Sequence, residues 1–242
     1  VRRRQRAAMA KQLCLVRLIH HLTRRPCPGA RLWTSDQWQN LATIRFLRAR
    51  NREGCDIYVL PYFPDHNSGY ILVDLDRAEP TVLTAMAAQG HEPCVVLQTS
   101  PGHLQAWVQV SSSPLPPALA SAIGKRLARA YGGDRASTDW RHLGRLAGFT
   151  NQKPERHTHG GYPPWVKVVY TRTGLARNAD DLLRSAEAPP LPPTTGSICP
   201  DPQLQPPSRI PAAQAAVIYQ NWVQRWRIAE RPIPRHGPLR VT

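Results

Sequence analysis

The apolar residues Leu15, Leu18, Ile19 and Leu22 recur at helical spacing within an Arg-rich stretch, which predicts a first helix ending before the Pro-Cys-Pro-Gly of 26–29. Ser35 is placed to cap a second helix in which Trp38, Leu41, Ile44 and Leu47 step by three. Its other face carries Arg45, Arg48 and Arg52, and Gly54 stops it. The period then shortens. Residues 57–60 and 70–73 are short apolar runs rich in β-formers, separated by the turn-like 64–69. A helix is predicted over 80–89, ended by Gly90, and a strand over 94–97. After the Pro101-Gly102 turn, Leu104, Ala106, Val108 and Val110 alternate with Gln105, Trp107 and Gln109, which predicts a hairpin. Leu115, Leu119, Ile123, Leu127 and Tyr131 lie four apart on a helix whose polar side carries Lys125, Arg126 and Arg129. A strand over 165–170 and a short helix capped by Asn178 and running through Leu183 complete the series.

From 189 to 211, nine of 23 residues are Pro and no period survives, so this stretch reads as a linker of polyproline character. Beyond it Ile218, Trp222 and Trp226 lie four apart on one last helix, where both tryptophans read as packing residues. The expected organisation is a main domain over 1–188, a linker over 189–211 and a helical segment over 212–242. The order of elements in the main domain predicts an α+β fold: an RRM-like, largely antiparallel sheet packed with helices.

Composition adds a partner. Lys and Arg total 32 against 16 Asp and Glu, a formal net charge of +16 with an isoelectric point near 10.6. An excess of this size attracts polyanions, nucleic acid first among them. The 41% of hydrophobic residues can build a core, which argues against wholesale disorder. The longest apolar runs fall well short of the roughly 20 residues a membrane helix needs. The start of the chain is basic, but no apolar stretch or small-residue cleavage site follows it, so no secretory signal is expected. The five cysteines are scattered and form no CxxC, which suits a reducing cytoplasm better than a zinc site or disulfide framework.

Three motifs could carry chemistry. Residues 71–76 form an apolar strand ending in Asp74-Leu75-Asp76, and residues two apart on a strand share a face. Two carboxylates about 6–7 Å apart at their backbones repel, and a divalent cation between them relieves the repulsion and can hold a phosphate. The turn Ser100-Pro101-Gly102-His103 puts a histidine at the start of an alternating strand, beside small residues. Asp139 precedes Arg145, Asn151 and Lys153, which cluster around Gly148 as in a triphosphate cradle. The plain alternatives are two solvated acids, an exposed turn histidine and a solvated basic loop.

Taken in order, these motifs resemble the archaeo-eukaryotic primase superfamily. Over about 100 residues, from Cys55 to Pro154, the chain is similar to RepB-type primases of mobilizable plasmids. The Ser-Pro-Gly-His turn and the Arg-Leu-Ala-Gly-Phe-Thr-Asn-Gln-Lys segment of 145–153 carry most of the resemblance. Two departures stand out: Ser100 lies one residue further from His103 than usual, and Ala147 stands where relatives often have Pro. Neither removes a charged group. The resemblance implies a DNA primase that joins nucleotides on single-stranded DNA in plasmid replication or mobilisation. It implies that Asp74, Asp76 and Asp139 are catalytic and bind divalent cations, Mg²⁺ or Mn²⁺. It implies that His103, Arg145, Asn151 and Lys153 bind the nucleoside triphosphate. Trp107, on the polar side of its strand, is the candidate base platform, with Lys125, Arg126 and Arg129 as phosphate contacts on the template. Other plasmid replication or mobilisation proteins are the further partners expected. The competing readings are a non-catalytic RRM-like binder of single strands and a metal-dependent relaxase or nuclease. His157-Thr158-His159 has a polar middle residue and is set aside as a metal site, and Trp140 reads as a core residue.

Overall fold

The computed structural model describes residues 2–187 except 10–12, 28–30, 35, 77, 78 and 80. The expected linker, the last helix and the Ser35 cap all lie outside the described residues. The elements in order are α1 (Arg2–Ala8), β1 (Cys14–His20), β2 (Arg31–Trp33), α2 (Leu41–Arg52), β3 (Cys55–Phe63), β4 (His66–Asn67), β5 (Tyr70–Asp76), α3 (Thr81–Ala88), β6 (Val95–Ser100), β7 (His103–Gln109), α4 (Pro117–Tyr131), β8 (Gly144–Arg145), β9 (Lys167–Thr171) and α5 (Ala179–Glu187).

The helix expected across Leu15–Leu22 is instead strand β1. Leu15, Leu18 and Ile19 fit a helical period, but Cys14, Val16 and Leu18 fit a period of two equally well. Pairing with β3, from Cys14 opposite Pro61 to His20 opposite Cys55, decides between them. Residues 14, 16 and 18 are buried by this register, while Arg17 stays exposed. Helix α2 also starts later than a Ser35 cap would allow. Asn40 caps it, its side-chain oxygen accepting the Ala42 N–H at 2.8 Å, and Trp38 is buried in a 3₁₀ turn just before.

The fold is α+β, as expected, but it contains two antiparallel sheets rather than one. The first has the order β2-β1-β3-β4, with β8 also paired to β3; the second has the order β5-β7-β6-β9. Alternation sorts each strand between two cores. On β5 and β7, Ile71, Val73, Leu75, Ala106 and Val108 join Ile123 and Leu127 of α4 and Leu182 of α5. On β1 and β3, Cys14, Val16, Leu18, Ile57 and Val59 join Leu47 of α2 and Phe149. The remaining faces form a third core between the sheets, containing Leu60, Tyr70, Leu72, Leu97 and Trp107. Packing there is close. Gly144 lies so near the Trp107 indole that an added Cβ would sit 2.5 Å from the ring.

The faces that form this inter-sheet core do not stay apolar along their length. Tyr70 and Leu72 are followed on the same face of β5 by Asp74 and Asp76. Leu97 is followed on β6 by Thr99, and Trp107 is preceded on β7 by Gln105 and His103. Beside Leu60, β3 presents Tyr58 and Asp56. One end of the space between the sheets is therefore dry, and the other is polar.

Candidate active site

The polar end opens as a cleft of about 430 Å³ that includes Tyr58, Asp74, Asp76, Gln105, Arg145 and Lys153 in its walls. The register of β5 against β7 sets Asp74 opposite Gln105 and Asp76 opposite His103. Gln105 donates its side-chain N–H to Asp74 Oδ2 at 3.3 Å, and His103 Nδ1 lies 2.6 Å from Asp76 Oδ1. Arg156 reaches both members of the second pair. Its guanidinium contacts the His103 ring and lies 3.5 Å from each Asp76 carboxylate oxygen.

The two carboxylates differ in setting. Burial, and then the charge of Asp76, push the pKa of Asp74 above its ordinary value, against the pull of Gln105 and His142. Asp76 is about half exposed. His142 also lines the cleft, and burial lowers its pKa despite the nearby charges of Asp74, Asp134 and Asp139, which favours the neutral imidazole. Lys153 is shifted downward by burial and by the like charges of Arg145 and Arg24.

Not every expected site residue is free to meet a ligand. Arg145 is 4% exposed. Its guanidinium makes a bidentate pair with Asp56 at 2.6 and 3.0 Å and lies over the Tyr58 ring at 5.0 Å. Burial works against its charge, but the Asp56 hydrogen bonds outweigh this and its pKa rises. Asn151 is buried and holds the loop: it donates to the Thr99 carbonyl at 3.1 Å and accepts the Lys153 backbone N–H at 3.2 Å. Lys153 itself lines the cleft. Trp107 is 0% exposed and packs in the inter-sheet core, so it offers no surface to a base; the side of its strand that looked polar in sequence faces the second sheet. Lys125, Arg126 and Arg129 are exposed on α4 but are not part of the cleft wall.

Asp139 does line the cleft, but it is 59% exposed and accepts the Arg141 backbone N–H. Among the described residues no group of three His, Cys, Asp or Glu side chains comes close enough to hold one metal ion. The expected triad of Asp74, Asp76 and Asp139 is thus not drawn together here. The chemistry of the pair nevertheless suits a hard divalent cation: two carboxylates on one strand face, one of them destabilised as an anion by burial and by its neighbour. Mg²⁺ commonly takes one or two carboxylates and completes its shell with water and substrate phosphates.

Four residues of the site escaped the sequence reading. Asp134 donates its backbone N–H to the Asp74 carbonyl at 2.8 Å, and its side chain caps the 3₁₀ turn at 135–137. Arg156 carried no motif, and His142, at the end of the segment 137–142 that holds Asp139, was given no role. Asp56 did carry a signal: a charged residue inside the apolar run of β3 needs a buried partner.

The crystal structure of the catalytic domain of primase RepB′ in complex with initiator DNA matches this chain with a TM-score of 0.66 at 32% identity, covering 76% of this chain and 90% of that one. The crystal structure of primase RepB′ matches with a TM-score of 0.67 at 29% identity, covering 95% and 68%. Fold and cleft together thus define a domain of the plasmid-primase class. The family model of the RepB DNA-primase N-terminal domain matches residues 39–182, more than half of the chain, and the chain belongs to that family. Mobilization protein A of Escherichia coli is 44% identical over 146 residues, 60% of this chain and 20% of that protein. A DNA primase of Acidithiobacillus ferrooxidans is 30% identical over 121 residues, 49% of this chain and 33% of that protein. The chain therefore spans about a fifth and a third of these two relatives.

Proposed function

We propose that this chain is the catalytic domain of a cytoplasmic DNA primase that makes short primers on single-stranded DNA by templated nucleotidyl transfer, in plasmid replication or mobilisation. The observation that carries the reading is the pair Asp74 and Asp76, side by side at the polar end of a cleft that also contains Lys153 and Arg156. The cleft volume falls within the roughly 300–1,000 Å³ of small-ligand sites. Asp74 and Asp76 would hold Mg²⁺ or Mn²⁺, which supplies charge neutralisation at the phosphates and lowers the pKa of the attacking hydroxyl. Asp134 and Asp139 are the acids left in the wall for a second cation. A 3′-hydroxyl oxygen gives up its proton to solvent and attacks the α-phosphorus of the incoming nucleotide; the new phosphodiester bond forms as the bond from that phosphorus to the bridging oxygen breaks, and pyrophosphate leaves. The protein's part is to position and to neutralise. Gln105 orients Asp74, His103 orients Asp76, and Lys153 meets the triphosphate on a loop that Asn151 holds in place.

The net charge of +16 suits a single-stranded template. With Trp107 buried, base stacking falls to exposed aromatic residues. Trp165 is 58% exposed, while its backbone is bridged to Thr150 and its neighbours Pro164 and Val166 are buried, which makes it a rigid platform. The test is Asp76→Ala. It should abolish primer synthesis from nucleoside triphosphates on a single-stranded template while leaving DNA affinity nearly unchanged. Normal primer yield from this variant overturns the assignment.

A further inference from the structure

Three arginines line the cleft: Arg141 is exposed and lies over the Trp140 ring at 4.8 Å, while Arg145 and Arg156 are in opposite conditions. Arg145 is spent: both arms of its guanidinium are matched to Asp56, it lies over Tyr58, and it is buried. An incoming phosphate would have to displace a carboxylate from a site closed to water. Arg156 has no such bidentate carboxylate partner: one arm of its guanidinium lies close against the His103 ring. Both of its Asp76 contacts are at 3.5 Å, the outer limit of a hydrogen bond, and Asp76 already has His103 at 2.6 Å. Its side chain is a quarter exposed and lines the cleft.

The backbone explains why Arg156 and Lys153 arrive together. Lys153, in extended conformation, precedes the 3₁₀ turn Pro154–Arg156 and Arg156 ends it, and both side chains line the cleft. The Lys153 carbonyl accepts the Arg156 N–H at 2.9 Å. Asn151 fixes one side of the turn, and on the other side Glu155 pairs with Arg24 at 3.4 Å. The result is two cations in the wall of one cleft, one a point charge and one a planar fork, and the fork is the one that lies against Asp76. A planar fork that holds no carboxylate bidentately is the group best shaped to take two phosphate oxygens at once.

We propose that Arg156, and not Arg145, is the guanidinium that receives the phosphate chain of the nucleotide, and that in the free protein it rests against Asp76 and His103. The inference rests on the primase reading and deepens it. On this view Arg145 is a positioning residue: it keeps β8 against β3 and keeps Asp56 available to the Gln152 N–H at 2.7 Å.

The experiment measures direct binding of tripolyphosphate, of a ribonucleoside triphosphate and of a deoxynucleoside triphosphate to the full chain, by calorimetry in Mg²⁺ buffer. Arg156→Ala should weaken all three by about tenfold or more, the usual scale for a lost charge-assisted hydrogen bond. Arg156→Lys should fall between that variant and the wild type. The affinity of Arg156→Ala for single-stranded DNA should stay within about twofold, and its thermal midpoint should not move, as expected for a partly exposed side chain at the cleft wall. Arg145→Lys should lower the thermal midpoint, and as long as it stays folded should bind tripolyphosphate as the wild type does. Unchanged tripolyphosphate binding by Arg156→Ala overturns the assignment. So does a loss confined to nucleosides, which would move Arg156 to the base or sugar. Failure of the wild type to bind any of the three overturns the primase reading itself, a result distinct from the others.

Discussion

Removing the Asp56 carboxylate tests how this cleft is held together. Asp56→Ala leaves three donors without their acceptor: the two guanidinium arms of Arg145, at 2.6 and 3.0 Å, and the Gln152 backbone N–H, at 2.7 Å. Both side chains of the ion pair are almost fully buried, at 5% and 3% exposure. Solvent therefore does not screen the loss, and breaking one side of such a pair costs about 3–5 kcal/mol. A domain of this size has roughly 5–15 kcal/mol in total, and each kcal/mol moves the thermal midpoint by about 2–4 °C. Asp56→Ala should therefore lower Tm by about 6–20 °C and shift the urea midpoint to match. Replacing both partners, as in Asp56→Leu with Arg145→Met, leaves no charge stranded. It should recover most of the loss, so that the two single effects sum to more than the double. Urea unfolding followed by near-ultraviolet circular dichroism of the wild type, Asp56→Leu, Arg145→Met and the double variant gives all four corners of the cycle. A loss under about 1 kcal/mol for Asp56→Ala, or strict additivity, refutes the claim that this pair supports the floor of the cleft.

Two further outcomes follow from the same geometry. Because Asp74 has a pKa raised above its ordinary 3.8, its ionised form costs stability above the folded-state pKa, and the cost disappears as pH falls below the ordinary value. Asp74→Asn in EDTA should therefore melt higher than the wild type at pH 7, the gain should shrink toward pH 4, and primer synthesis should be lost; a lower Tm at pH 7 contradicts this. Trp165→Ala should weaken single-stranded DNA binding by about 1–3 kcal/mol without changing the nucleotide KM, whereas Trp107→Ala should cost about 3–5 kcal/mol of folding stability. Equal effects of both variants on DNA affinity and on urea unfolding would erase the distinction between platform and core.

Much of the site's first layer was legible because it is local. Strand alternation puts Asp74 and Asp76 on one face, and the tight turn before His103 predicts the hairpin strand that ends beside them. Those inferences need only a period of two and a turn. The same logic misled at Leu15–Leu22, where a short apolar run satisfies two periods and only the pairing with β3 chooses. It misled again at Trp107, because a strand's polar-looking face says nothing about a second sheet lying against it.

The amino-acid order by itself determined the α+β class, the basic surface, the aspartate pair and the family resemblance, since each depends on residue type, spacing or sum of charge. Only the tertiary structure decided which cations are available. Asp56 and Arg145 are 89 residues apart, and nothing local to either announces the other. Burial turns their pairing into a closed unit and leaves Lys153 and Arg156 at the mouth. Whether a charge is free to act is a property of the three-dimensional neighbours that neutralise it and exclude water, and no one-dimensional pattern carries that information.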